Sequence, residues 1–195
     1  MERGAKEMGT RSLTIVLDEE GREICVIYRQ FDGYPTGHGG ELKAFLKSFH
    51  VVNGFGSHTP VRAANGMPCL AAQLIAHFKT GIGGFYLYPS GSRDMGEEYI
   101  YTIYQKTDHV VLPQSLFLRI QAGAITFFGF PGTNQANMPV IYDGLLDDFD
   151  PETVQQQWQE SDEDPPNDFL DDQIISADTL EVPETSESTF TADPK

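Results

Sequence analysis

Short runs of β-branched and aromatic residues alternate with glycine-containing segments along most of the chain, a pattern typical of a sheet with short connections. Ser12–Leu17 and Glu23–Arg29 are two such runs, and a glycine between them permits a tight turn. They predict a β-hairpin. Further strands are predicted over Phe85–Tyr88 and Tyr99–Tyr104, and a second hairpin over residues 116–121 and 124–128.

Two segments instead have apolar residues at helical spacing. The first predicts a helix of roughly ten residues, and its apolar positions are Leu42, Phe45, Leu46 and Phe49. In the second, Pro68 suits the first turn and Gly81 suits the position after the end. The apolar positions of this second helix are Leu70, Leu74, Ile75 and Phe78.

The elements follow one another in the order ββααββββ. This order predicts an α+β fold with a largely antiparallel sheet and two helices packed on one face. The globular domain is predicted over residues 12–142. Residues 1–11 are charged and contain glycine, and we expect them to be a flexible N-terminus.

The charge is distributed unevenly along the chain, which has 195 residues and a formal net charge of −16. Residues 1–142 contain 12 basic and 12 acidic residues, whereas residues 143–195 contain 17 acidic residues and one lysine. High charge and few apolar residues oppose formation of a core, so we expect residues 143–195 to be an acidic, mostly disordered tail. Within it, Asp150 and Pro151 predict a short helix through Trp158.

The composition favours an intracellular protein. No stretch reaches the roughly 18–20 apolar residues of a membrane span, and the N-terminus lacks the apolar core of a secretory signal. The only cysteines, Cys25 and Cys69, lie in apolar runs, as reduced buried thiols do. We therefore expect a cytoplasmic location and no membrane contact. No metal site and no cofactor are expected, because no two histidines have helical ligand spacing.

The segment from Tyr28 to Gly40 concentrates residues that bind anions or transfer protons. A glycine-rich loop that enters a helix presents backbone N–H groups, which hold phosphate or carboxylate. Arg29 is a candidate anion clamp, His38 a candidate acid or base, and Asp32 its candidate orienting partner. The predicted ligand-binding residues are Tyr28, Arg29, Tyr34, Gly37, His38 and Gly39.

A structural role for the same segment is favoured over a ligand site. Asp32 and Gly33 then form a turn, Arg29 pairs with Asp32, and the tyrosines pack. The glycine spacing matches neither a P-loop nor a dinucleotide-binding loop. An enzyme acting on a nucleotide or another phosphate ester requires Arg29, Asp32 and His38 to converge on the floor of a pocket, and this hypothesis fails if they point apart.

The segment Tyr28-Arg-Gln-Phe-Asp-Gly-Tyr-Pro35, followed by Gly37-His38-Gly39, resembles a motif of uncharacterised small proteins from bacterial and phage genomes. Asn65-Gly66-Met67 and the segment from Gly96 to Tyr101 fit the same pattern, so the resemblance covers about residues 22–105. It implies no fold and no activity. It favours a phage-type accessory protein that acts on host machinery.

From Leu42 to Arg93 the chain contains no Asp or Glu, although it contains five basic residues and three histidines. This window predicts a mildly basic surface. The surface is either inert, or binds a small anionic or nucleotide-like ligand, or docks the protein's own acidic tail. Nucleic acid is not expected, because no basic helix or known binding motif is present. The segment from Thr80 to Gly84 in this window permits either close backbone packing or a glycine-rich ligand loop.

The acidic segment also carries apolar residues that a purely solubilising tail does not need. Such anchors among carboxylates favour binding to a protein partner with a basic surface. The predicted partner-binding residues are Leu145, Leu146, Phe149, Trp158, Phe169 and Leu170. If this segment is an appendage, its deletion abolishes partner binding and leaves the melting temperature nearly unchanged.

Taken together, these patterns favour a binding or regulatory protein. It engages a host factor or a small anionic ligand through the loop at residues 29–38, through the acidic tail, or through both. The alternative is the phosphate-ester enzyme described above.

Overall fold

The computed structural model describes residues 9–47, 49–56, 62–106, 115–123 and 138–163. The helices are α1 (Gly40–Leu46), α2 (Gly66–Phe78) and α3 (Pro151–Glu163), and a π-helical turn (Pro35–Gly39) leads directly into α1. The strands are β1 (Ser12–Leu17), β2 (Glu23–Arg29), β3 (His50–Val52), β4 (Ala63–Asn65), β5 (Phe85–Tyr88), β6 (Tyr99–Tyr104), β7 (Phe117–Ala122) and β8 (Val140–Leu145).

Six strands form one sheet in the order β5-β2-β1-β6-β7-β8. Only β1 and β6 run parallel, and the other four neighbouring pairs are antiparallel. The chain returns from the helices as β5, which pairs with β2, and the segment from Pro89 to Glu98 then crosses to the far side of β1, so β6 runs parallel to β1. The α+β class and the mostly antiparallel sheet are therefore confirmed.

The helices and one face of the sheet share the larger core. Inward-facing residues of the central strands, such as Val16, Ile103 and Leu118, pack with Leu42 of α1 and Leu70 of α2. The helices bury these residues because their apolar positions recur at three- and four-residue spacing. This layer of helices on sheet forms the frame of the candidate site.

The opposite face of the sheet carries a second, smaller core. Its buried residues are Leu13, Ile15, Val26, Ile100 and Met138. Since β1 contributes to both cores and has neighbours on both sides, five of its six residues are buried.

The segment that follows Tyr142 is part of the fold, which corrects the predicted boundary at residue 143. Strand β8 continues to Leu145 and pairs with β7, and α3 follows it. Phe149 is 0% exposed, and Leu146 and Val154 are also buried in the larger core. The acidic residues from Asp143 to Glu160 are exposed while Leu146, Phe149 and Val154 are buried, so the high charge of this segment does not prevent folding.

Polar contacts also hold α3 and the residues just before it in place. The backbone N–H and the hydroxyl of Thr36 both donate to the side-chain oxygen of Gln155. Lys43 of α1 donates to the backbone carbonyl of Phe149. The helix predicted through Trp158 is confirmed and extends to Glu163. The chain divides after Asp164, and residues 165–195 lie outside the described residues, so a disordered tail there stays a prediction.

Other differences from the predicted elements are local. Four strands match their predicted bounds, and β7 begins one residue later than predicted. Strands β3 and β4, which the sequence pattern did not predict, form a small parallel pair between α1 and α2. The strand predicted at residues 124–128 lies outside the described residues. No helix in the described ranges is long and apolar enough to cross a membrane.

Candidate functional site

The loop after β2 turns sharply and brings His38 back against the sheet. Asp32 adopts a left-handed backbone with φ of 54°, and its carbonyl accepts the N–H of His38 at 2.8 Å. A side chain at Gly33 would lie 2.8–2.9 Å from the backbone of Arg11 and Ser12, so only glycine fits there. The short path from Asp32 to His38 is thus fixed by backbone contacts.

His38 is 0% exposed, and both of its ring nitrogens are hydrogen-bonded. A nitrogen of the Arg29 guanidinium lies 3.0 Å from Nδ1. Since arginine can only donate, Nδ1 accepts and carries no proton. The proton therefore sits on Nε2, which donates to the hydroxyl of Thr14 at 2.7 Å. His38 is a neutral residue that links β1 to β2.

Three aromatic rings enclose the imidazole. Phe78, Phe85 and Tyr101 each meet it edge to face, with centroids 5.3–5.7 Å away. The Tyr101 hydroxyl in turn donates to the carbonyl of Gly33 at 2.7 Å. Burial, and then the neighbouring Arg29 charge, hold the pKa of His38 well below its ordinary value of 6.5.

Arg29 is held by its own neighbours and is not a free anion clamp. Its guanidinium donates to both carboxylate oxygens of Glu41, to His38 and to the carbonyl of Phe31. The Arg29 side chain is 12% exposed, whereas that of Glu41 is 52% exposed. The ion pair predicted between Arg29 and Asp32 forms with Glu41 instead, because α1 brings Glu41 alongside the end of β2.

The other predicted ligand-binding residues have structural contacts. Tyr28 lies among Tyr86 and Tyr88 and packs against the smaller core, so it faces away from Arg29. The N–H groups of Gly37 and Gly39 donate to the carbonyl of half-buried Tyr34 inside the π-helical turn. The geometry therefore does not support an anion cradle formed by this loop.

The three candidate catalytic residues do not converge on an open surface. Arg29 and His38 are in contact, but Asp32 meets His38 only through its backbone carbonyl, and its side chain is exposed. A general acid or base must reach the proton that it transfers. His38 is fully enclosed and both nitrogens have partners, so the geometry does not support that role.

An open cleft of about 840 Å³ lies beside this buried cluster. It is bordered by α1, the end of α2 and the segment from Thr80 to Gly84. Two stacked pairs of rings form its aromatic wall. Phe78 lies parallel to Phe85 with centroids 5.3 Å apart, and His77 lies parallel to Phe45 at 4.1 Å.

Charged and apolar groups surround this aromatic wall. Asp32, Glu41 and Arg29 line one part of the cleft, and Arg62 lines another. Two apolar side chains at the rim of the cleft are exposed to solvent: Phe31 is 51% exposed and Ile82 is 109% exposed. Within the ranges that the structure covers, no three His, Cys, Asp or Glu are arranged to hold a metal ion.

Neither cysteine contributes to the cleft. Both are free thiols, and Cys25 is buried in the larger core. Burial raises the pKa of Cys25 to about 11. Because the thiolate is the reactive form of cysteine, this thiol is not a nucleophile near neutral pH.

The residues predicted to bind a partner fall into three groups. Leu146 and Phe149 are buried in the core, which corrects their prediction as exposed anchors. Leu145 and Trp158 are half-buried at the end of β8 and on α3. Phe169 and Leu170 lie outside the described residues, so their role stays a prediction.

Sequence reasoning missed the cleft itself, although one of its signals was visible. Arg62, His77 and the segment from Thr80 to Gly84 all come from the window that lacks Asp and Glu. That window predicted a mildly basic surface but not its location. The cleft forms only where α1 and the end of α2 pack near β5. Hydrophobic periodicity predicts the separate elements but not how they pack together.

The low pKa of His38 predicts a loss of stability in mild acid. The unfolded chain takes up a proton near the ordinary pKa, whereas the folded chain does not. Neutral His38 therefore makes its full contribution to the free energy of unfolding above about pH 6.5. As the pH drops below this value, the contribution falls by at most about 1.4 kcal/mol per pH unit. Urea unfolding between about pH 7.5 and pH 5 measures this slope.

The matched variant for this experiment is His38→Gln. Its amide can accept from Arg29 and donate to Thr14, but it does not titrate. We expect a flatter dependence on pH for this variant. Equal slopes for the two proteins would show that His38 does not cause the acid sensitivity.

Comparisons with protein-family models, with curated proteins and with solved structures found no match for this chain. The cleft and its surroundings are therefore the features from which a function can be inferred.

Proposed function

We propose that this protein works by binding a protein partner, and that the cleft is where the partner inserts a side chain. The observation that carries this proposal is the pair of exposed rim residues, Phe31 and Ile82, beside a concave aromatic wall. Exposed apolar groups around a pocket are typical of protein interaction sites. A small ion would leave these rim residues uncovered.

Side-chain insertion fits this edge of the molecule better than strand addition. Strand β5 is at the edge of the sheet, where an extended segment could pair. However, the N–H of Phe85 already donates to Gly83, and its carbonyl accepts from Lys79 at 2.7 Å. The Lys79 side chain, which follows α2, therefore occupies a backbone acceptor at the start of this edge strand.

We also propose a cytoplasmic location and a phage-type accessory role for this protein. Free thiols support a cytoplasmic location. The resemblance of the segment from Tyr28 to Gly39 supports a phage-type accessory role against a host factor. The enzyme alternative gains no support from the geometry, because His38 is enclosed.

A displayed library of random linear peptides tests the proposal. Peptides are selected on the full-length protein, and the affinity of the best one is measured by fluorescence anisotropy. We expect a double variant, Phe31→Ser with Ile82→Ser, to bind this peptide about tenfold more weakly or worse, since two apolar side chains that the partner covers together contribute more than about 1.4 kcal/mol. Both side chains are largely exposed, so the fold should not suffer.

Phe55→Ser is the matched control. Phe55 is 65% exposed and does not line the cleft, so its replacement should change the affinity less than about twofold. The proposal fails if no peptide is enriched, or if the double variant binds the selected peptide as tightly as the unchanged protein does.

A further inference from the structure

We infer that Arg62 determines the specificity of the cleft, and that the partner segment presents a carboxylate next to an aromatic side chain. This inference rests on the proposed function, because it names the chemistry that the cleft accepts.

Arg62 is held in a fixed position by aromatic rings. Its guanidinium carbon lies 4.8 Å from the centroid of Phe49 and 5.4 Å from that of Phe45. A guanidinium stacked in this way keeps its N–H groups at the edge of its plane. Arg62 therefore presents a preorganised fork of donors, the geometry that binds a carboxylate through two hydrogen bonds.

Most of this hydrogen-bonding capacity is unused by the protein. Among the described residues, the Arg62 guanidinium makes only one hydrogen bond, a long one of 3.5 Å to the carbonyl of Phe45. Its charge has no carboxylate partner among the described residues, unlike Arg22, Arg29, Arg93 and Arg119. Arg62 is also exposed, so a partner can reach it.

The neighbours of Arg62 favour an anion as well. It lies in the window from Leu42 to Arg93, which contains no Asp or Glu. The carboxylates of the cleft come from Asp32 and Glu41, outside that window, and Glu41 is already paired with Arg29. Charge complementarity therefore assigns an acidic group to the Arg62 part of the cleft.

The aromatic part of the ligand follows from His77. Its ring lies parallel to Phe45, whose ring Arg62 also contacts, and it is exposed on the cleft. A planar side chain from the partner can add to this group of rings by stacking. Since Phe45 touches both His77 and Arg62, the aromatic ring and the carboxylate of the partner belong to adjacent residues.

Labelled peptides with a Glu-Phe core between glycine and serine residues test the inference, together with matched Gln-Phe and Lys-Phe peptides. We expect the Glu peptide to bind about fivefold more tightly than the Gln peptide, the upper range for a solvent-exposed ion pair. The preference should shrink as salt is added. Arg62→Gln should remove the preference, whereas Arg22→Gln, the same change far from the cleft, should keep it.

The outcomes separate this inference from the proposed function. If the Glu preference survives in Arg62→Gln, or if the Gln or Lys peptide binds as well as the Glu peptide, the assignment to Arg62 is wrong. The proposed function still stands in that case if the Phe31 and Ile82 double variant loses affinity for the library-selected peptide. Both fall together if, in addition, no library peptide is enriched or the double variant binds the library-selected peptide unchanged.

Discussion

A chain truncated after Tyr142 is expected to lose its cooperative thermal unfolding transition. The truncation removes the last three residues of β8, all of α3 and the buried side chains Leu146, Phe149 and Val154. Burial of these three side chains contributes on the order of 5–8 kcal/mol. That approaches the whole free energy of unfolding of a typical domain, about 5–15 kcal/mol.

The matched truncation ends after Glu163, so it removes only residues beyond α3. We expect its melting temperature, measured by circular dichroism, to stay close to that of the full chain. A point variant separates packing from chain length. Phe149→Ala should cost about 3–5 kcal/mol, because it leaves a cavity in the core, whereas Asp147→Ala at an exposed neighbouring position should cost little.

The outcome that would contradict this prediction is a chain ending at Tyr142 that melts at the same temperature as the full protein. Such a result would restore the appendage model, in which the whole acidic segment after Tyr142 is dispensable for folding.

His38→Ala is expected to destabilise the protein by about 3–5 kcal/mol, measured as the free energy of unfolding in urea. The replacement opens a cavity among Phe78, Phe85 and Tyr101. It also leaves the Thr14 hydroxyl and one donor of Arg29 without their partner. An unsatisfied buried polar group adds to the cost of the cavity.

Two further variants serve as comparisons for His38→Ala. His38→Gln retains both hydrogen bonds and part of the volume, so it should cost less than His38→Ala. His77→Ala removes an exposed ring and should cost about 1 kcal/mol or less. A free energy of unfolding for His38→Ala within about 1 kcal/mol of the unchanged protein would show that the histidine does not support the fold.

Several strands of the sheet were predictable because their residue types favour a strand locally. Glu23–Arg29 and Tyr99–Tyr104 are rich in β-branched and aromatic residues, and the structure has strands with these same bounds. Strand β8 was missed because Val140–Leu145 contains Asp143 and Gly144, which weaken the pattern. Asp143 is accommodated by long-range contacts with Arg119 on the neighbouring strand β7 and with Tyr104 on β6, the next strand beyond it.

The candidate site was only partly predictable. The segment from Arg29 to His38 stood out by its residue types, and the structure does bring Arg29 and His38 together. Residue types did not indicate that the aromatic rings of distant segments, Phe78 and Tyr101, would enclose His38. Burial converts a reactive type of side chain into a structural one, and burial depends on residues far away in sequence.

The sequence alone determined the α+β class, the strand bounds near the centre of the sheet, and the position of the acidic residues along the chain. The tertiary structure decided which of those residues belong to the fold. Of the net charge of −16, the segment from Asp143 to Glu163 carries −8, and it forms part of β8 and α3. The physical reason is that net charge and local composition describe a segment by itself. Whether it folds depends on the apolar surface that it meets, here through Leu146, Phe149 and Val154.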